Sequence, residues 1–295
     1  MQRAKLIKLP LDPHEARAIF RSHGWFDLLP FSLEESGSVL RYTATVGGEP
    51  VEFRMEAQKL GVFAVPLHGG LASVEAVARR ILGVDWDLDG LHRTIGPFPE
   101  LAWIIEGRHG RMLRSATLFE DLVKILFTTN TTWDRTKRMN DQLVAIYGRK
   151  VGCSACFPDP DVLCELDPER LRQQTGCGYR AEGIIDIAAR ALAAPDIFLG
   201  SGWRGLGDTE FLRLAESCRG IGPVSANYIV RAYGRPAGLA LDAYAMRRCR
   251  ELWPSKRGIS ESQIKKKLAR YGRYSSLILW LLMTKHWHGQ SEIVF

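Results

Sequence analysis

The chain has no long hydrophobic run and no apolar segment at its beginning. The longest apolar run near the C-terminus, residues 277–283, is far shorter than the ~20 residues that a membrane-spanning helix requires. Residues 1–5 lead into a strand-like stretch rather than an apolar signal core. We therefore expect an intracellular protein without a membrane partner, in the cytoplasm or nucleoid. Apolar residues at 46% and charged residues at 25% exclude a disordered chain, a collagen-like repeat and a coiled coil.

Lysine is the scarcer cation in this sequence. Of the 40 basic residues 11 are Lys and 29 are Arg, and no lysine occurs between Lys150 and Lys256. Because 33 residues are acidic, the formal net charge is +7, which favours a polyanionic partner. Arginine is the better bidentate phosphate ligand, although an Arg-rich composition is also typical of base-biased genomes. The net charge alone therefore favours a nucleic-acid partner only modestly.

Cysteine is present, but not in a metal-binding pattern. Cys153 and Cys156 are spaced like metal ligands, yet no second pair of this kind follows. Cys164 lies in an apolar run, where a thiol simply packs. We therefore expect reduced thiols and no metal, and a four-thiolate site that includes Cys177 is the less favoured alternative.

The first third of the sequence has the texture of a small α+β lobe. Residues 39–46 and 51–55 alternate apolar and polar side chains around a Gly-Gly turn, which predicts a β-hairpin with one solvated face. Residues 61–65 predict a third strand, and residues 13–20 and 73–82 predict helices. We assign residues 1–113 to an N-terminal lobe with an antiparallel sheet.

From about residue 118 onward the apolar residues recur at helical spacing. Such stripes begin at Phe119, Ile184, Phe211 and Ala226, and a last amphipathic segment is predicted at about 275–285. The predicted fold class is α+β, mainly α, in which a helical core in two subdomains occupies residues 114–295.

Two of these predicted helices are separated by a very short glycine-rich turn. The hairpin spans about 211–233, and its turn contains Gly220, Gly222 and Pro223. The glycines permit a sharp reversal, and the proline suits the first turn of the next helix. The free N–H groups of that helix start would attract a DNA phosphate, and the turn carbonyls would suit a monovalent cation. An ordinary αα-hairpin with a glycine corner is the alternative reading.

The continuation of this hairpin favours the DNA-binding reading. The hairpin sequence Gly-Ile-Gly-Pro-Val-Ser-Ala-Asn-Tyr at 220–228 is followed by an Asp-bearing segment at 239–250, with Asp242 after an apolar stretch. This combination resembles the helix-hairpin-helix (HhH-GPD) DNA glycosylase superfamily, and residues 225–228 resemble its bacterial 3-methyladenine branch. Residues 119–120, 128–133 and 178–181 resemble the 8-oxoguanine glycosylases instead. The resemblance covers about residues 110–285.

The resemblance implies a catalytic role for Asp242, which matches the family's essential aspartate. A carboxylate beside C1′ of the sugar would stabilise the positive charge that develops as the base leaves. Capping the helix that starts at Ala243 is the alternative role of the same residue. Bifunctional members carry a Schiff-base lysine where this chain has Val224, so we expect a monofunctional enzyme. No cysteine follows Cys249, which excludes the iron–sulfur branch.

The remaining site predictions come from single positions that match the family. The hairpin residues Gly220, Gly222 and Val224, together with Arg247, are predicted to bind the DNA backbone. The predicted base-pocket and intercalating residues are Tyr228, Asn130, Trp133, Trp280 and Tyr179. Each has an ordinary alternative: the aromatic residues as core, Asn130 as a helix cap, and Arg247 on a solvated helix face.

Together these features predict a monofunctional DNA N-glycosylase of base excision repair. Such an enzyme would act as a monomer on duplex DNA and leave an abasic site. Residues 225–228 and the missing lysine favour an alkylated purine, whose positive charge weakens the glycosidic bond and suits an aromatic pocket. The alternatives are an 8-oxoguanine-type glycosylase and a non-catalytic HhH protein that only binds DNA.

Overall fold

The computed structural model describes residues 6–68 and 74–289. Residues 1–5, from which we expected no signal segment, lie outside the described residues. The described chain begins with a five-stranded antiparallel sheet in the order β1-β5-β4-β3-β2. Its strands are β1 Ile7–Leu9, β2 Ser32–Leu33, β3 Val39–Val46, β4 Glu49–Gln58 and β5 Gly61–His68. The turn between β3 and β4 uses Gly47 and Gly48 at φ +61° and +83°, the left-handed geometry that tight hairpins require.

Two helices, α1 (Pro13–Phe20) and α2 (Val74–Ile81), pack against this sheet. Asp12 caps α1 by accepting a 2.8 Å hydrogen bond from the backbone N–H of His14. The predicted start of the second helix at Ser73 falls outside the described residues. On the sheet, Tyr42 lies opposite Phe53, and its hydroxyl donates to Glu120 of the next lobe. A side-chain hydrogen bond therefore links the sheet directly to the helical part of the chain.

The helical part contains most of the described chain. Its α-helices are α3 Leu88–Ile95, α4 Ala102–Glu106, α5 Leu118–Phe127, α6 Trp133–Tyr147, α7 Pro160–Cys164, α8 Pro168–Thr175, α9 Ala181–Ala193, α10 Pro195–Phe198, α11 Asp208–Ser217, α12 Pro223–Ala232, α13 Ala243–Leu252, α14 Glu261–Leu268 and α15 Ser275–Met283. A two-stranded ribbon, β6 Lys150–Val151 and β7 Ser154–Ala155, interrupts them. Short 3₁₀ turns occupy Gly24–Asp27, Pro99–Leu101, Gly178–Arg180, Gly202–Gly205, Ala269–Tyr274 and Lys285–His288. The predicted fold class is confirmed.

The buried apolar residues form two clusters. One extends from the sheet through α5, α9 and α12, and the other joins α3 and α4 to α13, α14 and α15. Tyr228 and Ala232 of α12 pack against both clusters. Helix α12 therefore lies between the two cores, where a cleft can form. The predicted division of the chain at residue 113 stays a prediction.

Helix α15 differs from the sequence prediction. We expected an amphipathic helix, but every residue from Ser276 to Met283 is buried. A helix that is apolar on all sides belongs in a protein interior, and here the second core surrounds it. None of the helices in the described ranges is both long and apolar enough to cross a membrane.

Candidate active site

The turn between α11 and α12 reverses the chain in five residues, 218–222. Gly220 has φ +87°, a conformation that strains any residue with a side chain, and a Cβ atom there would also lie 2.8 Å from the side chain of Leu126, which would have to shift. Helix α9 closes on the turn at Gly183, where a Cβ would lie 2.5 Å from the carbonyl oxygen of Arg219. Gly222 precedes α12 and offers no side-chain cap. The first N–H groups of α12 therefore have no side-chain partner from that position, which is the geometry that anion sites use.

The other two predicted backbone-binding residues are both at the surface. Val224 stands in the first turn of α12 and is 38% exposed. Arg247 is exposed on α13, and its guanidinium carbon lies 5.5 Å from the ring centroid of Tyr244. Both side chains are accessible to a large ligand.

Asp242 sits at the N-terminus of α13 and is held by two hydrogen bonds. Its Oδ1 accepts from the backbone N–H of Ala245 at 2.7 Å, so the capping role expected as an alternative is present. Its Oδ2 accepts from the hydroxyl of Tyr228 at 3.1 Å. Burial raises the pKa of Tyr228, so the phenol keeps its proton and remains a donor at neutral pH. The two bonds fix the orientation of the carboxylate.

Asn227 ties the hairpin to the segment that carries this aspartate. Its Nδ2 donates to the carbonyl of Pro223 at 2.8 Å, and its Oδ1 accepts from the backbone N–H of Gly238. The carbonyl of Gly238 in turn accepts from the hydroxyl of Ser276 on α15 at 2.9 Å. The segment that leads to Asp242 is thus hydrogen-bonded at Gly238 both to α12 and to α15. Sequence reasoning gave Asn227 no role.

Asp242 and Tyr228 line a cavity of about 670 Å³. Its walls come from the segment around the Gly24–Asp27 turn, from α5 and the loop after it, from α12, from the start of α13 and from the C-terminal end of the described chain. A volume of this size is typical of small-molecule sites and accommodates a purine base. The cavity therefore brings residues from distant parts of the sequence to one carboxylate.

Two of the predicted aromatic residues also line this cavity. Trp280 meets Tyr228 edge to face at 5.9 Å between ring centroids, and its Nε1 donates to the carbonyl of Ser22 at 2.8 Å. The six-membered ring of Trp133 packs against Gly24, where a Cβ atom would lie 2.4 Å from the ring, and its Nε1 donates to Asp27 at 3.1 Å. Gly24 is therefore needed for close approach to this indole.

The structure separates Asn130 and Tyr179 from that cavity but brings them together elsewhere. The amide nitrogen of Asn130 lies 3.4 Å from the Tyr179 hydroxyl, which also lies 3.0 Å from the hydroxyl of Thr129. Asn130 has φ +47°, a left-handed conformation that asparagine tolerates. Tyr179 is 55% exposed, and it lines an open groove together with Gly220 of the hairpin turn. Both residues thus lie at the surface, beside the turn.

Sequence reasoning missed several residues of the cavity wall. Arg231 stands three residues after Tyr228, and that helical spacing was an available signal. His23 and Trp25 come from the first lobe, and no local pattern relates them to α12. Trp25 Nε1 donates to Asp121 on α5 at 2.7 Å, which fixes the position of this part of the wall.

No cluster of three or more His, Cys, Asp or Glu side chains suited to a metal occurs within residues 6–68 and 74–289. Cys153 is exposed and Cys156 is buried, and burial raises the pKa of the Cys156 thiol. Cys153 and Cys156, two of the four thiols of the alternative site, are therefore in different environments.

The chain matches a known family over residues 123–273, just over half of its length. The matching family is described as the HhH-GPD superfamily of base excision DNA repair proteins, and this chain belongs to it. The resemblance found in the sequence is thereby confirmed, and with it the class of base excision repair DNA glycosylases. Comparison with the curated proteins gave no significant match.

Solved structures show the same fold over nearly the whole chain. A 3-methyladenine DNA glycosylase from Archaeoglobus fulgidus has TM-score 0.71 at 19% identity and covers 95% of this chain and 98% of its own. An 8-oxoguanine glycosylase/lyase from Clostridium acetobutylicum, in complex with DNA containing cytosine opposite 8-oxoguanine, has TM-score 0.68 at 17% identity and covers 97% and 99%. MBOgg1 in complex with a low affinity DNA ligand has TM-score 0.71 at 20% identity and covers 96% and 94%.

Proposed function

We propose that this chain is a monofunctional DNA N-glycosylase that removes a damaged purine from duplex DNA and leaves an abasic site. The observation that carries the proposal is the Asp242 carboxylate, which is held by Tyr228 and Ala245 on the wall of a base-sized cavity. A base must leave the duplex to enter such a cavity, at a cost of a few kcal/mol.

The carboxylate supports hydrolysis of the N-glycosidic bond in two ways. As the base departs with the bonding electron pair, positive charge develops on the sugar, and Asp242 stabilises that charge electrostatically. Water then attacks C1′, and the same carboxylate orients the water and accepts its proton. Because Tyr228 occupies one carboxylate oxygen and Ala245 the other, the group is held in place before the substrate binds.

Binding of the DNA backbone is assigned to the hairpin turn and to Arg247. Gly220, Gly222 and Val224 present the start of α12, and Arg247 adds a cation one and a half turns after Asp242. The monovalent cation predicted here stays a proposal, for which the turn residues 218–222 offer only backbone carbonyls. Asn130 and Tyr179, exposed beside the turn, are proposed to fill the gap that the extruded base leaves. The predicted monomer also remains a proposal.

The absence of a suitable amine supports a reaction that stops at the abasic site. No lysine lines the cavity within the described part of the chain. Lys124 is fully buried and paired with Glu120 at 2.6 Å. Lys137, near the rim, donates to Asp27 at 2.8 Å, which raises the pKa of its amine and keeps it protonated. A lyase needs an unprotonated amine as nucleophile.

The damaged base is proposed to be an alkylated purine, as residues 225–228 indicate. Tyr228 and Trp280 supply aromatic surface for such a base. An 8-oxoguanine-type base is the second candidate, and the buried cation of Arg231 favours it because a neutral base with a carbonyl suits that cation.

The test is single-turnover cleavage of a panel of duplexes carrying methylated, deaminated, oxidised or undamaged bases, each processed with and without hot alkali. We expect breaks only after alkali and on one lesion class. Asp242→Asn should keep DNA binding but lower the cleavage rate at least a hundredfold, about 3 kcal/mol of transition-state stabilisation. Full activity of that variant would overturn the mechanism.

The matched control is Asp167→Asn. Asp167 caps α8 by accepting from Arg170 N–H at 2.9 Å, as Asp242 caps α13, but it lies outside the cavity. A loss confined to Asp242→Asn separates catalysis from helix capping. Tight DNA binding without cleavage on any lesion would favour the non-catalytic HhH protein instead.

A further inference from the structure

The net positive charge of the chain is concentrated in one segment. Residues 247–273 contain ten of the 40 basic residues and two of the 33 acidic residues, which gives this segment a formal charge of +8. The rest of the chain has a formal charge of −1. The attraction of the whole molecule for a polyanion therefore comes from this segment, which spans the larger part of α13 and all of α14.

Six of these basic side chains are exposed and form no ion pair with a carboxylate of the described residues. We call them the basic face: Arg250, Lys256, Arg257, Lys265, Lys266 and Lys267. The ion pairs that the described residues form in this segment involve other cations, Arg248 with Glu251 and Arg270 with Glu100. The charge of the basic face is thus available to a ligand from solvent.

A tight turn between α13 and α14 holds two members of the basic face at its tip. The backbone N–H of Gly258 donates to the carbonyl of Ser255 at 3.1 Å, and the Ser255 hydroxyl donates to the carbonyl of Gly258 at 2.9 Å. Lys256 and Arg257 are the two central residues of this turn, and Gly258 follows with φ +72°, a conformation that favours glycine. A hydrogen-bonded turn therefore presents both cations to solvent.

Helix α14 extends the basic face from this turn. Its buried residues are Ile264 and Leu268, so the three lysines at 265–267 point away from the core. The Nζ of Lys267 lies 5.8 Å from the ring centroid of Trp253, the residue directly after α13. The end of α13 and helix α14 therefore meet, and the six cations belong to one surface.

The basic face begins beside the cavity and leads away from it along α13. Tyr244 lines the cavity, and the guanidinium carbon of Arg247 lies 5.5 Å from its ring centroid. Arg250 follows Arg247 by three residues and is exposed on the same side of α13. Because a helix of ten residues spans about 15 Å, the far end of α13 is separated from Asp242 by a distance that equals about four base-pair steps of a duplex.

The side chains of this segment favour a double-stranded partner. Between residues 247 and 273, all of which the structure describes, no large apolar side chain is exposed. Single-stranded nucleic acids are bound largely by stacking of their bases on exposed aromatic rings, and protein partners are bound through apolar and aromatic anchors. The phosphates of a duplex need only cations, and they present one charge about every 1.7 Å along the axis.

We propose that the basic face binds the duplex that flanks the damaged nucleotide, on one side of it and beginning about four base pairs away. The inference rests on the proposed glycosylase function, because that function places the damaged nucleotide at Asp242. In this arrangement Arg247 contacts phosphates close to that nucleotide, and the basic face contacts those farther along the same arm. The two arms of the bound duplex are therefore held unequally.

The test compares three duplexes that carry one uncleavable abasic-site analogue. The first has two arms of about twelve base pairs, and each of the others has one arm shortened to about three, which ends before the basic face. Fluorescence anisotropy measures binding, so the result does not depend on excision. We expect shortening of one arm to weaken binding about tenfold or more, and shortening of the other to change it less than about twofold.

The test variant combines Lys256→Gln, Arg257→Gln and Lys265→Gln. It should bind the duplex with two long arms about tenfold more weakly than the unaltered protein does. The slope of log affinity against log salt should fall by about two to three, since each phosphate contact contributes about 0.9. Shortening of the sensitive arm should then cause little further loss. The single-turnover excision rate at saturating protein should stay unchanged, because none of the three residues lines the cavity.

The matched control combines Lys8→Gln, Lys59→Gln and Arg79→Gln, which are exposed residues of the first lobe. It removes the same formal charge as the test variant, so it separates the loss of local phosphate contacts from the loss of net charge. The control should keep its affinity for all three duplexes within about twofold of the unaltered protein.

Three results would overturn the inference: equal sensitivity to shortening of either arm, a control that weakens binding as much as the test variant, or a test variant that stays as sensitive to arm length as the unaltered protein. An equal loss of affinity by the test variant for single-stranded DNA would also overturn it. Unequal arm dependence without excision of any lesion would remove the glycosylase proposal and leave the basic face. Excision with equal dependence on both arms would remove the basic face and leave the glycosylase.

Discussion

The hydroxyl of Tyr228 donates a 3.1 Å hydrogen bond to Oδ2 of Asp242, across a separation of fourteen residues in the chain. The bond joins the second helix of the hairpin to the start of α13. Helix α12, whose start is proposed to bind the DNA backbone, therefore also orients the Asp242 carboxylate that is proposed to act in catalysis. In the proposed mechanism Tyr228 therefore positions Asp242 and does not itself contact the reacting atoms.

Tyr228→Phe should reduce single-turnover excision about tenfold or more while leaving DNA affinity unchanged. The variant keeps the ring in the cavity wall and removes only the hydrogen bond to the carboxylate, and such bonds to charged groups contribute about 1.5–3 kcal/mol. Single-turnover rates on the preferred lesion, measured with protein in excess, report this directly.

Tyr244→Phe is the control for that experiment. Tyr244 lines the same cavity, but no hydrogen bond from its hydroxyl to Asp242 is found in the described part of the chain. Removal of the Tyr244 hydroxyl should therefore lower the single-turnover excision rate much less than removal of the Tyr228 hydroxyl. Equal rates for Tyr228→Phe and the unaltered protein would show that Ala245 alone orients the carboxylate.

Most of the predicted site residues that lie together come from residues 220–242, and Trp133 and Trp280 are added to them from single distant positions. The stretch from Gly220 through Tyr228 to Asp242 comprises the hairpin turn, α12 and the loop that leads to α13, so local chemistry and family resemblance were enough to select these residues. His23 lies more than two hundred residues from Asp242, and only tertiary packing brings it to the cavity. The burial of Arg231 was also not predictable from the sequence, because an arginine on a short helix is usually exposed to solvent.

Val224→Lys should introduce strand cleavage at an abasic site. Val224 is partly exposed and stands one helical turn before Tyr228, so the two side chains share a face of α12. An amine there would reach toward the cavity mouth and could attack C1′ of an abasic sugar to form a Schiff base. Borohydride trapping on a duplex with a preformed abasic site measures this without requiring base excision.

In that assay the unaltered protein and Val224→Met, which has a long side chain without an amine, should give no trapped complex. A trapped complex with the unaltered protein would contradict the proposed monofunctional reaction. No trapping with Val224→Lys would show that position 224 does not reach the sugar.

Arg247→Ala should weaken binding to every duplex by a similar factor and make binding less sensitive to salt. Arg247 is exposed on α13 and free to contact phosphate. Each phosphate contact contributes about 0.9 to the slope of log affinity against log salt, so the slope should fall by about that amount. Fluorescence anisotropy with undamaged duplex at several salt concentrations measures it, and Arg79→Ala serves as the control. An unchanged slope would place Arg247 away from the DNA.

The buried His23 should make the protein less stable in mild acid. Its pKa is lowered from 6.5 to about 3 by burial, so between those values the unfolded chain binds a proton that the folded chain does not. The stabilising contribution is therefore complete above pH 6.5 and is lost as the pH falls toward 3. Between pH 7 and 5 this residue should cost about 2 kcal/mol of the free energy of unfolding.

His23→Gln removes the titrating group but keeps a polar side chain at this position. Urea unfolding at pH 7, 6 and 5 should show a shallower loss of stability for this variant than for the unaltered protein, by about 2 kcal/mol over the range. Residual acid sensitivity is expected, because burial also lowers the pKa of His109 to about 3 and that of His288 to about 4. His14→Gln, at an exposed site on α1, should follow the unaltered protein. Parallel pH curves for His23→Gln and the unaltered protein would mean that His23 binds a proton equally well in the folded and the unfolded chain, which would contradict the lowered pKa.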